Sequence, residues 1–372
     1  MIIHKKATST IMFCFRPKTL VLGLLAVLAV LNLRQEYGFS ASSQEAAAAA
    51  KSKDDNNKDT SSMLCTQNPY VHKLADPLET IAQRMQDWTA PAAYDAMLQQ
   101  AQTDPSWNIT WNSFEPFRAM TTCAERECIG GRCGSDVSKI ACGLSGLREQ
   151  SSSSSSNNNN NKGCIVYSLG GNNQWEFELD ALQKTPCQVH TFDCTGSIDR
   201  FKVPEHERLH FHHICIGATD EPAPATCATK SGKYNAWTKC GPTMTLGGVQ
   251  KKLKHEQIDL YKMDIEGYEV PIFRSWPELT DANALNTKNN GLLASLPMQL
   301  LVEIHYKTTF QDLWKPGQTS MWDRFLTPVD LVELQRHLIK MGYAVVERDD
   351  NRACKHCTEL TLVRMQCPPA QK

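Results

Sequence analysis

Residues 258–270 read I-D-L-Y-K-M-D-I-E-G-Y-E-V, and they place two acids directly after a short apolar segment. The segment 258–263 has the composition of a buried strand, and apolar residues at helical spacing follow Gly267. In an open α/β sheet, ligands bind beyond the carboxyl ends of the parallel strands. We therefore expect Asp264 and Glu266 to line a ligand site. The alternative is an ordinary strand-to-helix turn in which the acids cap the helix.

The same alternation of strand and helix continues over the C-terminal half of the chain, which predicts a parallel, doubly wound α/β sheet. The predicted strands are 164–169, 187–192, 209–216, 258–263, 299–305, 343–348 and 358–364, and the clearest helices are 174–184 and 328–341. No helix separates the last two strands, which predicts an antiparallel hairpin at the edge of the sheet.

The composition indicates a globular protein without an affinity for nucleic acid. The 372 residues, 41% of them hydrophobic and 21% charged, carry a formal net charge of -1. That length suits about two domains. There is no basic excess of the kind that nucleic-acid binding requires.

The 15 cysteines favour disulfides over zinc sites. Cys123, Cys128, Cys133 and Cys142 are spaced more widely than the C-x2-4-C pairs that bind zinc. The pair Cys354-x2-Cys357 could indicate zinc or a redox site, but we expect structural disulfides to other cysteines in an oxidising compartment.

The N-terminal segments predict a membrane anchor. A basic tail (1–18) precedes an apolar run (19–33), and positive charge before the run places the N-terminus in the cytoplasm. A cleaved signal peptide is the alternative. Residues 34–64 are predicted to form a disordered stem. The rest of the chain would then face the lumen of the Golgi or endoplasmic reticulum, or be secreted, and Asn108 would be a glycosylation site.

Three further segments follow the stem. We interpret residues 65–150 as an N-terminal cap, with helical spacing and cysteines, and 151–162 as a Ser/Asn-rich solvent loop. Residues 163–372 form the main α/β domain.

The first strand-turn-helix unit predicts a nucleoside site. Gly170, Gly171, Asn172 and Asn173 form the turn, and Asp193 ends the next strand. Glycines allow a ligand to approach the backbone, and an acid at that second position accepts hydrogen bonds from a ribose. The three-glycine fingerprint of dinucleotide sites is missing, so S-adenosylmethionine fits better than NAD. A plain tight turn and a capping role for Asp193 are the alternatives.

Four segments resemble the FkbM-like and methyltransferase-like family of S-adenosylmethionine-dependent enzymes: C-I-V-Y-S-L-G-G-N-N-Q-W-E-F-E (164–178), C-Q-V-H-T-F-D (187–193), K-M-D-I-E-G-Y-E (262–269) and Q-L-L-V-E-I-H (299–305). Residues 134–142 also look like a segment that precedes the first strand in relatives.

The resemblance implies a class I methyltransferase fold, which is a Rossmann-like, seven-stranded sheet with an antiparallel last strand. It also implies that the turn residues lie against the cofactor, that Asp193 holds its ribose, and that Asp264 faces its methionine part or the acceptor. The chain departs from the pattern at Ser168, where many such enzymes have an acid that helps to bind the methionine amine.

Methyl transfer to an oxygen requires a base near the acceptor. The candidate catalytic residues lie at the ends of two neighbouring predicted strands: Asp264, Glu266, Glu303 and His305. His305 is the first candidate for the base. A hydrogen-bonded, half-buried histidine is the alternative for His305. The sequence predicts no dedicated metal site, although Asp264, Glu266 and Glu303 could hold a hard cation.

We therefore expect a luminal methyltransferase that forms an O-methyl product on a glycan or another secretory-pathway acceptor. The alternative is a luminal binding or scaffold protein that keeps the fold without catalysis, which the serine at position 168 favours. The glycine pattern disfavours an NAD-dependent oxidoreductase.

Overall fold

The structure is a computed structural model that describes residues 64–108, 110–135, 137–153, 163–225, 239–279, 295–305, 326–351, 354 and 356–367. These residues belong to one unit, 59–372. The predicted tail and anchor, the stem up to residue 63 and most of the Ser/Asn loop lie outside the described residues. Among the described helices, none is both long and apolar enough to cross a bilayer.

Seven α-helices and eleven strands are described. The helices are α1 (Leu78–Thr89), α2 (Pro91–Thr103), α3 (Leu144–Ser153), α4 (Glu176–Lys184), α5 (Leu246–Leu253), α6 (Glu269–Arg274) and α7 (Pro328–Lys340). The strands are β1 (Arg126–Ile129), β2 (Lys139–Cys142), β3 (Ile165–Leu169), β4 (Gln188–Phe192), β5 (Leu209–His212), β6 (Cys215–Ile216), β7 (Thr243–Met244), β8 (Leu260–Met263), β9 (Gln299–His305), β10 (Tyr343–Asp350) and β11 (Cys357–Arg364).

Seven strands form the central sheet in the order β10-β11-β9-β8-β3-β4-β5. The five strands from β9 to β5 are parallel, and β11 is antiparallel to both of its neighbours. The last strand is therefore antiparallel, as the resemblance implies. The β10–β11 hairpin lies at one edge of the sheet, as the sequence predicts, with β10 outermost and β11 between β9 and β10.

The central strands are buried on both faces of the sheet. All five residues of β3 and all seven of β9 are buried, which agrees with the apolar residues that make up most of both strands. Successive side chains point to opposite faces, so Tyr167 and Leu169 belong to one core cluster and Val166 to the other.

The predicted strand 209–216 is two strands in the structure. The β5 strand ends at His212, where the backbone turns and the N–H of Ile214 donates to the carbonyl oxygen of His212 (2.8 Å). The β6 strand then pairs with β7 in a separate two-stranded sheet. The composition of the segment, L-H-F-H-H-I-C-I, does not reveal this change of partner.

The predicted cap packs directly on the central sheet. The β1–β2 ribbon is antiparallel, and the Gln299 side chain bonds both the N–H (2.7 Å) and the carbonyl oxygen (2.8 Å) of Cys142 in it. The Thr361 hydroxyl donates to the carbonyl oxygen of Ile140 (2.5 Å). This contact between β2 and the β9–β11 pair brings Lys139 to the carboxyl end of the parallel strands.

Every cysteine that the structure describes is disulfide-bonded. The pairs with both partners described are Cys65–Cys367, Cys123–Cys142, Cys128–Cys133, Cys164–Cys187, Cys194–Cys215 and Cys354–Cys357. The expectation that Cys354 and Cys357 pair with other cysteines is wrong. The turn before β11 brings their Cα atoms within 5.3 Å, a distance that a disulfide spans.

Candidate active site

The glycine turn (170–173) follows β3 at the edge where the parallel strands end. Gly170 has a φ of +79°, and a Cβ there would lie 1.7 Å from the carbonyl oxygen of Asp264, so only glycine fits. Asn172 and Asn173 also have positive φ, which asparagine tolerates better than most residues. The Gly170 N–H donates to Phe192 at the end of β4 (3.1 Å). The ends of β3, β4 and β8 therefore meet at this turn.

Asp193 ties the end of β4 to the glycine turn. Its carboxylate accepts hydrogen bonds from the N–H of Asn172 (2.8 Å) and from the N–H (2.8 Å) and hydroxyl (2.5 Å) of Thr195. Arg200 lies 3.8 Å from it and donates to the Asn172 side chain (2.7 Å). The capping role considered for Asp193 is thus present. A carboxylate has about four acceptor sites, which leaves one for a ligand hydroxyl.

The carboxylates at the ends of β8 and β9 surround a buried lysine that the sequence analysis did not predict to belong to the site. The Lys139 ammonium lies 3.2 Å from Asp264 and 3.2 Å from Glu303, and it also contacts Glu359 on β11. Burial lowers the pKa of Lys139, but the three carboxylates outweigh it and hold that pKa well above its ordinary value. Lys139 is therefore a permanent cation that gathers the acids, and it has no lone pair to act as a base.

His305 lies at the end of β9 between carboxylates. Its Nδ1 is 3.1 Å from Glu269, and its Nε2 is 3.6 Å from Glu266 and 3.9 Å from Glu303. Burial would lower the pKa of His305, but Glu269 and the other carboxylates raise it to about 10. The imidazole is then protonated at neutral pH. This argues against His305 as the base and favours the alternative of a buried, hydrogen-bonded histidine.

Glu266 has the properties expected of a base. Burial raises its pKa to about 7, with neighbouring acids adding to the rise and His305 opposing it. Its side chain is 29% exposed, against 22% for Asp264, 6% for Glu303 and 8% for His305. Lys139 and Lys262 hold the pKa of Asp264 below its ordinary value despite burial. Glu266 is therefore the carboxyl group in this set that can gain or lose a proton near neutral pH and reach an acceptor.

Glu269, the first residue of α6, is a second residue that the sequence did not single out. Its carboxylate accepts hydrogen bonds from the N–H groups of Ile265 (3.0 Å) and Gly267 (3.2 Å) as well as from His305. It thereby orders the D-I-E-G turn. The acid in E-G-Y-E was visible in the sequence, but its position inside a helix gave no sign that it faces back into the turn.

Two groups of side chains are close enough to share a metal ion. Asp264, Glu266 and His305 form the first, and Glu303, His305 and Cys357 form the second, with ligand atoms within 4.8 Å of one another in each. Cys357 is bonded to Cys354, so the second group lacks its thiolate. In the first group, a metal ion would compete with the proton for the ring nitrogen of His305 and with the Lys139 ammonium for the carboxylate of Asp264.

All predicted site residues thus lie at one edge of the sheet, at the ends of four adjacent strands. Gly170, Gly171, Asn172 and Asp193 form one part, and Asp264, Glu266, Glu303 and His305 form the other. The carbonyl oxygen of Asp264, packed against Gly170, joins them. The fold and the site define the class: a doubly wound α/β domain with a glycine turn and a group of carboxylates at the carboxyl ends of its parallel strands.

Comparison with known proteins identifies the family. The chain belongs to the family described as methyltransferase domain, whose model matches residues 76–364. It is 33% identical over 109 residues to "Probable methyltransferase-like protein 24" of Homo sapiens and 34% identical over 109 residues to that of Rattus norvegicus. These matches cover 29% of this chain and only 26% and 27% of the relatives.

Among solved structures, the 16S rRNA (adenine(1408)-N(1))-methyltransferase of Catenulisporales acidiphilia matches with 14% identity and a TM-score of 0.30. The match covers 66% of this chain and 99% of that one. The resemblance to methyltransferases that the strand-end motifs predict is confirmed by the family match.

Proposed function

We propose that this protein is an S-adenosylmethionine-dependent methyltransferase that O-methylates a glycan or another acceptor of the secretory pathway. The observation that carries the proposal is the meeting of the glycine turn, Asp193 and the D-I-E-G acids at adjacent strand ends. When bound, S-adenosylmethionine supplies an electrophilic methyl group for in-line displacement. The chain must then hold the donor and remove a proton from the acceptor.

The residues present fit this donor. Gly170, Asn172 and Asn173 are partly exposed, so a ligand can reach the turn. Asp193 keeps an acceptor site for a ribose hydroxyl next to it. Glu266 is partly exposed and takes the acceptor's proton. Lys139, Glu269 and His305 hold the acidic rim in place around it.

Binding of the cofactor product tests the donor. The purified protein should show a thermal shift with S-adenosylhomocysteine and none with NAD. Asp193→Ala should abolish the shift. A shift with NAD alone would refute the choice of cofactor, and an unchanged shift in Asp193→Ala would remove that residue from the binding site.

Turnover and acceptor are tested together with a labelled methyl donor and a glycan extract of secretory-pathway origin. Label in the glycan fraction supports the proposal. The inactive scaffold, favoured by Ser168, instead predicts binding of S-adenosylhomocysteine without label in any fraction.

The luminal placement is a separate proposal, with residues 19–33 as the anchor. Six disulfides in the described chain support it, because such bonds persist in oxidising compartments. In cells, the protein should lose mass on treatment with an N-glycosidase, and Asn108→Gln should not. A protein whose mass is unaffected by the glycosidase would count against luminal exposure of Asn108.

A further inference from the structure

A buried cation lies directly beneath the glycine turn. Lys262, on β8, is only 6% exposed. Its ammonium donates to the carbonyl oxygens of Leu169 (3.0 Å) and Gly170 (3.3 Å). These carbonyl dipoles solvate the ammonium without cancelling its charge. An unbalanced positive charge here would repel any cationic ligand that lies on the turn.

A buried carboxylate also lies beside the turn. Glu178, on α4, is 1% exposed and accepts a hydrogen bond from the Ser168 hydroxyl (2.6 Å). Its Oε1 lies 3.7 Å from the point where a Cβ on Gly171 would be. Burial raises the pKa of Glu178, whereas Lys262 and the Ser168 hydroxyl act against that rise. A fully buried glutamate is rare unless it is paired, and Lys262 is the cation that acts on it.

Two other acids lie near the turn. Asp193 accepts its hydrogen bonds from Asn172 and Thr195, and Asp264 is paired with Lys139 at 3.2 Å. Lys262 acts on the carboxylates of both Asp264 and Glu178, and of these two side chains Glu178 is the one that lies against Gly171. Charges in a dry interior are screened far less than charges at the surface, so a change at Glu178 is felt by a ligand on the turn.

We infer that Glu178 is a positioning residue that balances Lys262, so that the glycine turn accepts the cationic methionine part of S-adenosylmethionine. The inference rests on the proposed function. It also explains how β3 can carry an uncharged serine next to its last residue, because Ser168 holds a carboxylate supplied by α4.

Three ligands that differ in charge separate this role from a structural one. S-adenosylmethionine carries a sulfonium, an ammonium and a carboxylate and is a net monocation. S-adenosylhomocysteine keeps the ammonium and the carboxylate without the sulfonium, and methylthioadenosine carries none of the three. Glu178→Gln keeps the size of the side chain and removes its charge. In calorimetry, Glu178→Gln should bind S-adenosylmethionine about tenfold more weakly or worse. The affinity for S-adenosylhomocysteine should fall less, and the affinity for methylthioadenosine should not change.

Two further variants complete the test. Ser168→Ala removes the hydrogen bond but keeps the carboxylate, and it should lose part of the discrimination between S-adenosylmethionine and methylthioadenosine. Ser168→Asp combined with Glu178→Gln moves the charge onto β3 and should restore that discrimination. If the thermal transition shows that Glu178→Gln does not fold, the discrimination measured in these two variants tests the inference.

Equal losses for all three ligands, or no loss for any, overturn the inference. If the unmodified protein binds none of the three, it is the proposed function that fails.

Discussion

At the scale of single residues, Glu266 is held in an unfavourable backbone conformation. Its φ is +55°, and the following Gly267 has a φ of +108°. A non-glycine residue in this region costs about 1–3 kcal/mol and persists only where its surroundings enforce it. Here Glu269 enforces it, because its carboxylate binds the N–H groups on both sides of Glu266. The strained residue thus carries a partly exposed carboxyl group.

Replacement of Glu266 tests its role as the base. A positioned base contributes about 10²–10⁴-fold to a rate, so Glu266→Gln should lower kcat by that order. The affinity for S-adenosylhomocysteine should be unchanged, since the glycine turn is intact. In the unmodified protein, kcat should rise with pH through about 7 and then level off, because the carboxylate is the active form and its pKa is about 7.

The conservative variant Glu266→Asp should retain part of the rate and the same sigmoidal pH profile. Assays across pH 5–9 with a labelled methyl donor measure both. A Glu266→Gln variant with the pH profile of the unmodified protein would place the base elsewhere.

The positions of these residues were predictable, but their protonation states were not. Asp264, Glu266, Glu303 and His305 were predicted to lie together because adjacent parallel strands end at one edge. The charge on His305 depends on a contact with Glu269 across 36 positions of sequence. Sequence spacing does not reveal that contact. His305 was therefore the first candidate for the base, a role that the Glu266 carboxyl group fits better.

At the scale of elements, strand β2 supplies a cation to the ends of β8, β9 and β11. Lys139 is 1% exposed and lies among three carboxylates. Like charges held this close in a dry site repel one another, and the ammonium permits the three strand ends to meet. The β1–β2 ribbon is therefore part of the site's architecture rather than a cap apart from it.

Lys139→Met should strongly destabilise the fold. Removal of one partner from a buried ion cluster costs about 3–5 kcal/mol, because the remaining charges are left unpaired. Without the ammonium, burial would raise the folded-state pKa of Asp264 above its unfolded value, and the pKa of Glu359, which burial already raises, would rise further. Stability should then improve as the pH falls from 7.5 to 5, since protonation removes the unpaired charges.

Urea unfolding at the two pH values measures this effect. Lys239→Met, which removes a surface ion pair with Glu221, is the matched control and should change the midpoint little. If Lys139→Met is as stable as the control at pH 7.5, the three carboxylates do not need the ammonium to lie close together.

The elements were predictable where composition decides them. The β3 and β9 strands are mainly apolar, and their predicted bounds agree with the structure within a residue. The partners of elements were harder to predict. The break after β5 and the insertion of β11 between β9 and β10 depend on pairing between distant segments. Helical spacing and alternation carry no information about such pairing.

At the scale of the whole molecule, the first described residues are attached to the last strand. Cys65 is bonded to Cys367, 302 positions away, and its N–H donates to the carbonyl oxygen of Met365 (2.9 Å). The buried Asn68 side chain donates to the carbonyl oxygens of Met298 (3.0 Å) and Arg364 (2.8 Å). The disulfide thus closes the α/β unit into one covalent ring, and the hydrogen bonds of Asn68 hold the ring against the sheet.

The Cys65–Cys367 bond should therefore stabilise the protein more than a local one. A disulfide restricts the unfolded chain, and in the chain-entropy model the effect grows with the length of the closed loop. Cys65→Ser with Cys367→Ser should cost about 2–5 kcal/mol. Cys128→Ser with Cys133→Ser, which opens a bond between residues 5 positions apart, should cost less. Non-reducing peptide mass spectrometry establishes the remaining pairs, and urea unfolding without reductant compares the two variants. Equal losses would mean that local packing, rather than the length of the closed loop, sets the contribution of these bonds.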